Sequence, residues 1–310
     1  MSLRIRTNVT SLIAQRHLAN STKTVSNYME KLSSGHRINR AADDAAGLAI
    51  AENLRSDIRA LMQARRNASD GISLLQVAEG SLVEITNIVV RLKELAIQAA
   101  SDTIGSNERK YLNMEFFQLK DEVDRIAIGA EFNGKRLLVG VDPELPEELA
   151  AEQVMMPLEV QVDKQYIEEL DSYEVRNPQD IIRLDFTDMN ARTEGEGSLN
   201  IGSVADEEGT NVMTKFTAQR SIPVIDMALE RIAGYRARIG ALQNRLESAG
   251  RNLDIRMENL TSARSRIMDT DFAHATAQMT QHSILQQGGI SVLAQANQFP
   301  SMAMQLLQGG

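Results

Sequence analysis

Apolar residues recur at helical spacing in four long runs, two of them at opposite ends of the chain. In the first, Val9, Leu12, Ile13, Leu18, Val25, Met29 and Leu32 fall at intervals compatible with one helical face, until Ser33-Ser34-Gly35 interrupts. A second opens after Asp43-Asp44, whose negative charges suit a helix N-terminus, and continues through Leu54, Ile58, Leu61, Ala68, Ile72, Leu75, Leu82, Ile85, Val89, Leu92 and Ala96 before Ser101 to Ser106 break it. The third, Leu112, Phe116, Leu119, Val123 and Ile126, ends near Gly129. In the fourth, Ile225, Ala228, Ile232, Tyr235, Ile239, Leu242, Leu246, Ala249 and Leu253 alternate steps of 3 and 4, continuing after one stutter through Met257, Leu260, Ala263 and Ile267. Runs of this length predict a coiled coil or helical bundle rather than a compact enzyme domain.

Between the third and fourth runs the period changes. Phe132-Asn133-Gly134-Lys135 sets Asn-Gly between apolar flanks, a strong hairpin signal, and Leu158 to Val162 and Ile181 to Phe186 alternate as strands do. The expected fold is mainly α with a small β-containing part: long antiparallel coiled-coil helices from both termini, plus a short α+β outer domain. On this pattern the two longest helices pair with each other, the middle segment protrudes from the far end of the bundle, and the termini meet at the near end.

The C-terminus changes the picture most. Residues Phe272 to Gly310 contain no Asp, Glu, Lys or Arg in a chain that is 24% charged, and eight Gln sit among Ile284, Leu285, Ile290, Val292, Leu293, Leu306 and Leu307. Such a segment reads as an assembly surface, with neutral hydrogen-bonding groups that fix register in a packed helical layer. Elsewhere charge is segregated: residues 1–66 hold 11 Lys+Arg against 5 Asp+Glu, and residues 141–210 hold 4 against 19. The overall balance of −9 gives no support for nucleic-acid binding.

Candidate chemistry is sparse. There is no cysteine, so no disulfide, thiolate metal site or thiol nucleophile, and His17, His36, His274 and His282 lack metal-ligand spacing. No glycine-rich phosphate loop or convergent catalytic set is present, and the acidic residues from Glu144 to Glu208 lack the spacing of a calcium loop. These readings predict no enzyme activity, no cofactor and no metal. No apolar run reaches the length of a membrane span, and the first residues lack a signal-peptide core, so neither membrane insertion nor a cleaved signal peptide is expected.

Two sets of motifs carry a resemblance. Leu32-Ser33-Ser34-Gly35-His36-Arg37-Ile38-Asn39, Ala42-Asp43-Asp44-Ala45-Ala46-Gly47-Leu48-Ala49-Ile50, Asn67-Ala68-Ser69-Asp70-Gly71-Ile72-Ser73 and Gln76-Val77-Ala78-Glu79-Gly80 resemble the N-terminal region of bacterial flagellin. Asn259-Leu260-Thr261-Ser262-Ala263-Arg264-Ser265-Arg266-Ile267-Met268-Asp269, Ile284-Leu285-Gln286-Gln287 and Ser291-Val292-Leu293-Ala294-Gln295-Ala296-Asn297-Gln298 resemble its C-terminus. Phe299-Pro300 departs from the family, which usually has a smaller residue before that proline.

The resemblance implies a structural subunit that polymerises into the flagellar filament used for bacterial motility, extracellular, with terminal helices that fold on assembly. It implies an inner terminal coiled coil (1–44 and 269–310), a helical bundle (45–140 and 218–268, with a hairpin near 130–139) and a small variable outer domain (141–217). Assembly then falls to Leu12, Ile13, Val25, Leu32, Ile284, Leu285, Val292, Leu293, Leu306 and Leu307, with Gly35 and Gly47 as hinge. Implied partners are other copies of the chain, the export apparatus, a cytoplasmic chaperone on the C-terminal segment, and the filament cap and junction proteins. Arg91, Leu95 and Glu115 match a patch recognised by a vertebrate Toll-like receptor. The alternatives are a hook-filament junction protein and a non-flagellar coiled-coil secretion or adhesion adaptor.

Overall fold

The computed structural model describes residues 8–140, 157–163, 181–194, 197–202 and 210–308, with side chains described as far as Gln298. Much of the expected outer segment, 141–217, therefore lies outside the described residues. The helices are α1 (Val9–Ser34), α2 (Ala45–Ala99), α3 (Ser106–Gly129), α4 (Lys215–Met268) and α5 (Phe272–Gln308); the strands are β1 (Glu131–Phe132), β2 (Lys135–Arg136), β3 (Leu158–Gln161) and β4 (Ile181–Leu184). Two compact units result: Met1–Ile58 with Glu258–Gly310, and Arg59–Met257.

The second unit holds the main core. Along α2 the buried residues Ala68, Leu75, Ala78, Leu82, Ile85, Val89, Leu92, Ala96 and Ala99 keep a heptad-like spacing, and α4 answers with Ile225, Ala228, Ile232, Tyr235, Ile239 and Leu246. The two helices run antiparallel. Arg65 Nε lies 3.3 Å from the Asp254 carboxylate, Gln243 Nε2 donates to Glu79 Oε2 at 2.9 Å, and Lys93 Nζ lies 2.5 Å from Asp226 Oδ1, so partners descend along α4 as they ascend along α2. The third helix adds Phe116, Val123 and Ala127 to the same core. This pairing follows the sequence expectation, because a narrow apolar stripe needs a complementary one.

After α3 the chain turns sharply at Asn133 (φ 52°) and Gly134 (φ 73°), joining β1 to β2 with Glu131 opposite Arg136. Both central residues have positive φ, as the tight two-residue hairpin turn requires, and Asn and Gly are the residues that tolerate it. Strands β3 and β4 form a second antiparallel ribbon, Leu158 opposite Leu184 and Gln161 opposite Ile181.

The ribbon does not stand off the end of the helical pair as the sequence pattern suggested. Asn67 Nδ2 of α2 donates to the Gln161 carbonyl at 3.2 Å, and Val162, Ile182, Leu184 and Phe186 belong to the main core. Gly71 makes the approach possible: a Cβ there would lie 3.2 Å from Val160 and 3.1 Å from Leu246. The described residues that follow run back beside α3. Val139 bridges Asn190, Thr193 donates through both its N–H and its hydroxyl to Asp124 at 2.7 Å, and Val212 N–H donates to buried Asn113 Oδ1 at 3.0 Å. Lys120 is fully buried; its ammonium donates to the Thr210 carbonyl at 3.2 Å and lies 5.9 and 5.6 Å from the ring centroids of Phe116 and Phe117.

Candidate assembly surface

The site lies in the first unit, where α1 and α5 pair antiparallel. Asn8 begins α1: its Oδ1 accepts the Ser11 N–H at 3.1 Å while its Nδ2 donates to the Ala296 carbonyl at 2.8 Å. Ser11 Oγ donates to Asn297 Oδ1 at 2.9 Å, and Gln286 Nε2 to Thr22 Oγ1 at 3.0 Å. Farther along, Tyr28 stacks on His282 with centroids 6.4 Å apart. The Asn8, Ser11 and Gln286 contacts are made by amides and hydroxyls, which suits a helix lacking Asp, Glu, Lys and Arg.

Small residues are the most deeply buried in the pair. Ser11 and Ala14 are the buried residues of α1, and on α5 Ala275 and Ala296 are 3% and 5% exposed. A Cβ on Gly289 would sit 3.5 Å from Leu18 Cδ1, so the helices approach closely there. Large apolar side chains point the other way: Leu12, Ile284 and Val292 are 57%, 63% and 57% exposed, and Val9, Ile13, Leu285 and Ile290 are exposed as well. Val25, Leu32 and Leu293 are half-buried. Of the apolar stripe on α1, Leu18, Val25 and Leu32 are half-buried in phase with the more deeply buried Ser11 and Ala14, while Val9, Leu12, Ile13 and Met29 lie in solvent. Leu306 and Leu307 belong to α5, beyond the residues whose side chains are described.

The connectors beside this pair are tied together. Gly35 ends α1 at φ 72° with nothing within 4 Å of where a Cβ would lie, so its role is the left-handed backbone itself. Arg37 N–H donates to the Met268 carbonyl at 2.6 Å, Thr270 N–H to the Gly35 carbonyl at 3.0 Å, and the Arg37 guanidinium to the Ile267 carbonyl at 2.8 Å. His36 and Asp269 face each other at 3.5 Å, and Ile38, Ala51 and Met268 form a small separate core. Gly47, the second expected hinge residue, lies in the first turn of α2, not in the connector. Its N–H donates to Asp44 Oδ1 at 2.8 Å, and a Cβ would collide with Asp44 and with Ile38 Cδ1. Asp43 accepts from the backbone N–H groups of Asn39 and Arg40 at 3.1 Å, and these bonds hold its carboxyl below the usual range.

In the second unit, Arg91 reaches Glu115 at 2.8 Å and Glu94 at 3.0 Å, all three exposed, and the contact with Glu115 chiefly raises the guanidinium. Leu95 is fully buried in the main core. Among the described residues no group of three His, Cys, Asp or Glu is placed to hold a metal ion.

Comparison with known proteins agrees with this arrangement. Residues 5–142 match the family described as the bacterial flagellin N-terminal helical region, and residues 222–307 match the bacterial flagellin C-terminal helical region. The flagellar filament 33 kDa core protein of Treponema phagedenis is 38% identical, over 98% of this chain and 99% of that protein. Flagellin A of Vibrio cholerae is 34% identical, over 99% of this chain and 100% of that protein. A solved structure named as a flagellar hook-associated protein of Vibrio parahaemolyticus, 14% identical, covers 73% of this chain and 100% of its own with a TM-score of 0.53, a likeness of fold alone. With both terminal regions matched and relatives aligned over almost their whole length, the chain belongs to the bacterial flagellin family.

Proposed function

We infer that this chain is the repeating subunit of an extracellular flagellar filament and that the α1/α5 pair is its main polymerising surface. The observation that carries the reading is the packing of that pair, with Ala14, Ala275 and Ala296 inside and Leu12, Ile284 and Val292 outside. An apolar face of this kind marks an interaction site. The relatives' names, filament core protein and flagellin, support the same reading. The role is structural, and no catalytic step is assigned to it.

Burial of apolar area contributes about 25 cal/mol per Å², against roughly 1–2 kcal/mol per residue for ordering backbone. A two-helix pair with so little inside is marginal by itself, so the terminal helices order as neighbouring subunits cover Leu12, Ile13, Val25, Leu32, Ile284, Leu285, Val292 and Leu293. Leu306 and Leu307 extend the same surface. Repeated head-to-tail contacts that do not close a ring then build an open helical polymer.

In this reading residues 1–44 and 269–310 form the inner coiled coil, 45–140 and 218–268 the surrounding bundle, and 141–217 the outward-facing part, its β3–β4 ribbon lying against α2. Gly35 supplies the turn between the first two, and Gly47 the tight packing beside it. The chain travels through a flagellar export apparatus. A cytoplasmic chaperone covers the uncharged C-terminal segment on the way, and cap and junction proteins bound the finished polymer. The exposed Arg91–Glu115 pair is the accessible part of a Toll-like receptor patch, with Leu95 buried in the main core.

Electron microscopy of the full-length chain seeded with short filament fragments tests the central reading. Long uniform filaments are expected from the unaltered chain and none from a Leu12→Ser, Ile284→Ser, Val292→Ser triple variant whose second unit remains helical by circular dichroism. Normal filaments from the triple variant would remove α1/α5 as the polymerising surface.

A further inference from the structure

We propose that Met29 is an oxidation site through which peroxide blocks the unassembled subunit; the proposal rests on the reading of α1/α5 as the filament surface. The chain has 14 Met and no Cys, so thioethers are its whole complement of oxidisable sulfur. Among the described side chains of the first unit their surroundings differ sharply. Met268 is 6% exposed in the small connector core and Met279 is half-buried, whereas Met29 is 58% exposed on the flank of α1. It adjoins Tyr28, whose ring stacks on His282 of α5 and carries Lys31 Nζ 6.0 Å from its centroid. An oxidant in solvent thus reaches the Met29 sulfur directly, next in sequence to the Tyr28–His282 contact and on a helix pair that, on the filament reading, neighbouring subunits cover.

The reaction transfers one oxygen of hydrogen peroxide to the thioether sulfur. The sulfur loses two electrons in forming the S–O bond of the sulfoxide, the peroxide O–O bond breaks, and the other oxygen leaves as water. A flexible apolar side chain becomes a polar one that must give up its water to enter the filament. Oxidised subunits therefore add poorly to a growing end, while subunits already in the filament are shielded. A methionine sulfoxide reductase restores the thioether and, with it, growth.

The test treats soluble subunits with hydrogen peroxide, removes the oxidant, and measures seeded growth beside peptide mass spectrometry of the segment holding Met29. Growth of untreated chain, measured in parallel, tests the filament reading by itself. Expected are a sulfoxide at Met29, a rise of about tenfold or more in the subunit concentration needed for growth, recovery after sulfoxide reductase, and slower oxidation of Met29 in preformed filaments. Met29→Leu, which keeps the apolar volume, should grow normally after the same treatment although Met62, Met114, Met213 and Met227 remain exposed to oxidant. Unchanged growth of wild-type chain bearing the Met29 sulfoxide would overturn the proposal, as would equal loss of growth in the Met29→Leu variant.

Discussion

Ser11 Oγ donates to Asn297 Oδ1 at 2.9 Å across 286 positions of sequence, joining the first turn of α1 to the last part of α5 whose side chains are described. The bond joins an amide and a hydroxyl, and Ala14 and Ala296, close to its two ends in sequence, are buried. Contacts of this kind set the register of the pair without consuming its apolar face, which stays available to another subunit.

The two glycines near the connector fail in different ways when replaced. Gly35→Ala meets no atom but forces a side chain into left-handed backbone, so a loss of about 1–2 kcal/mol is expected. Gly47→Ala keeps an ordinary helical backbone but drives its methyl into Asp44 and Ile38. Chemical denaturation should show Gly35→Asn retaining more stability than Gly35→Ala, since Asn tolerates positive φ, and Gly47→Asn losing more than Gly47→Ala. Equal losses across the series would contradict the assignment.

Leu95 and Arg91 are neighbours on α2 with opposite roles. Leu95→Ala opens a cavity in the main core and should cost about 2–5 kcal/mol of stability. Arg91→Ala removes only exposed ion pairs with Glu115 and Glu94 and should leave the thermal transition almost unmoved. Receptor assays on the two variants then separate a lost contact from a lost fold: reduced signalling by folded Arg91→Ala chain is expected, and full signalling would remove Arg91 from the patch.

Asp43 gives a pH dependence of known sign. Its carboxyl is held below the usual range by the N–H groups of Asn39 and Arg40, with burial opposing weakly. A depressed carboxylate contributes stability that is present above its unfolded value, near pH 4, and is lost as pH falls through the lower folded value. Asp43→Asn should therefore flatten the acid side of a stability profile for the α1–α2 connector, followed by amide exchange between about pH 2 and 5. An identical acid loss in the variant would show that Asp43 does not hold that turn.

Several local features were legible in the chain because they depend on neighbouring residues. Gly35 ends α1 in left-handed backbone, Asn133-Gly134 makes the hairpin, and the alternating steps from Ile225 through Leu253 give the buried face of α4, since helix caps, turn dihedrals and a regular apolar period are short-range properties. Tertiary structure alone decided which atoms face which. Periodicity set Leu12, Ile13 and Leu18 within one stripe, but close helix approach admitted Ser11 and Ala14 and left Leu12 and Ile13 outside. Spacing could not foresee that Gly71 lets β3 lie against α2, or that Lys120 would be buried between Phe116, Phe117 and the Thr210 carbonyl. Those outcomes depend on volumes and donors brought together from distant positions, a property of the packed chain that no local pattern encodes.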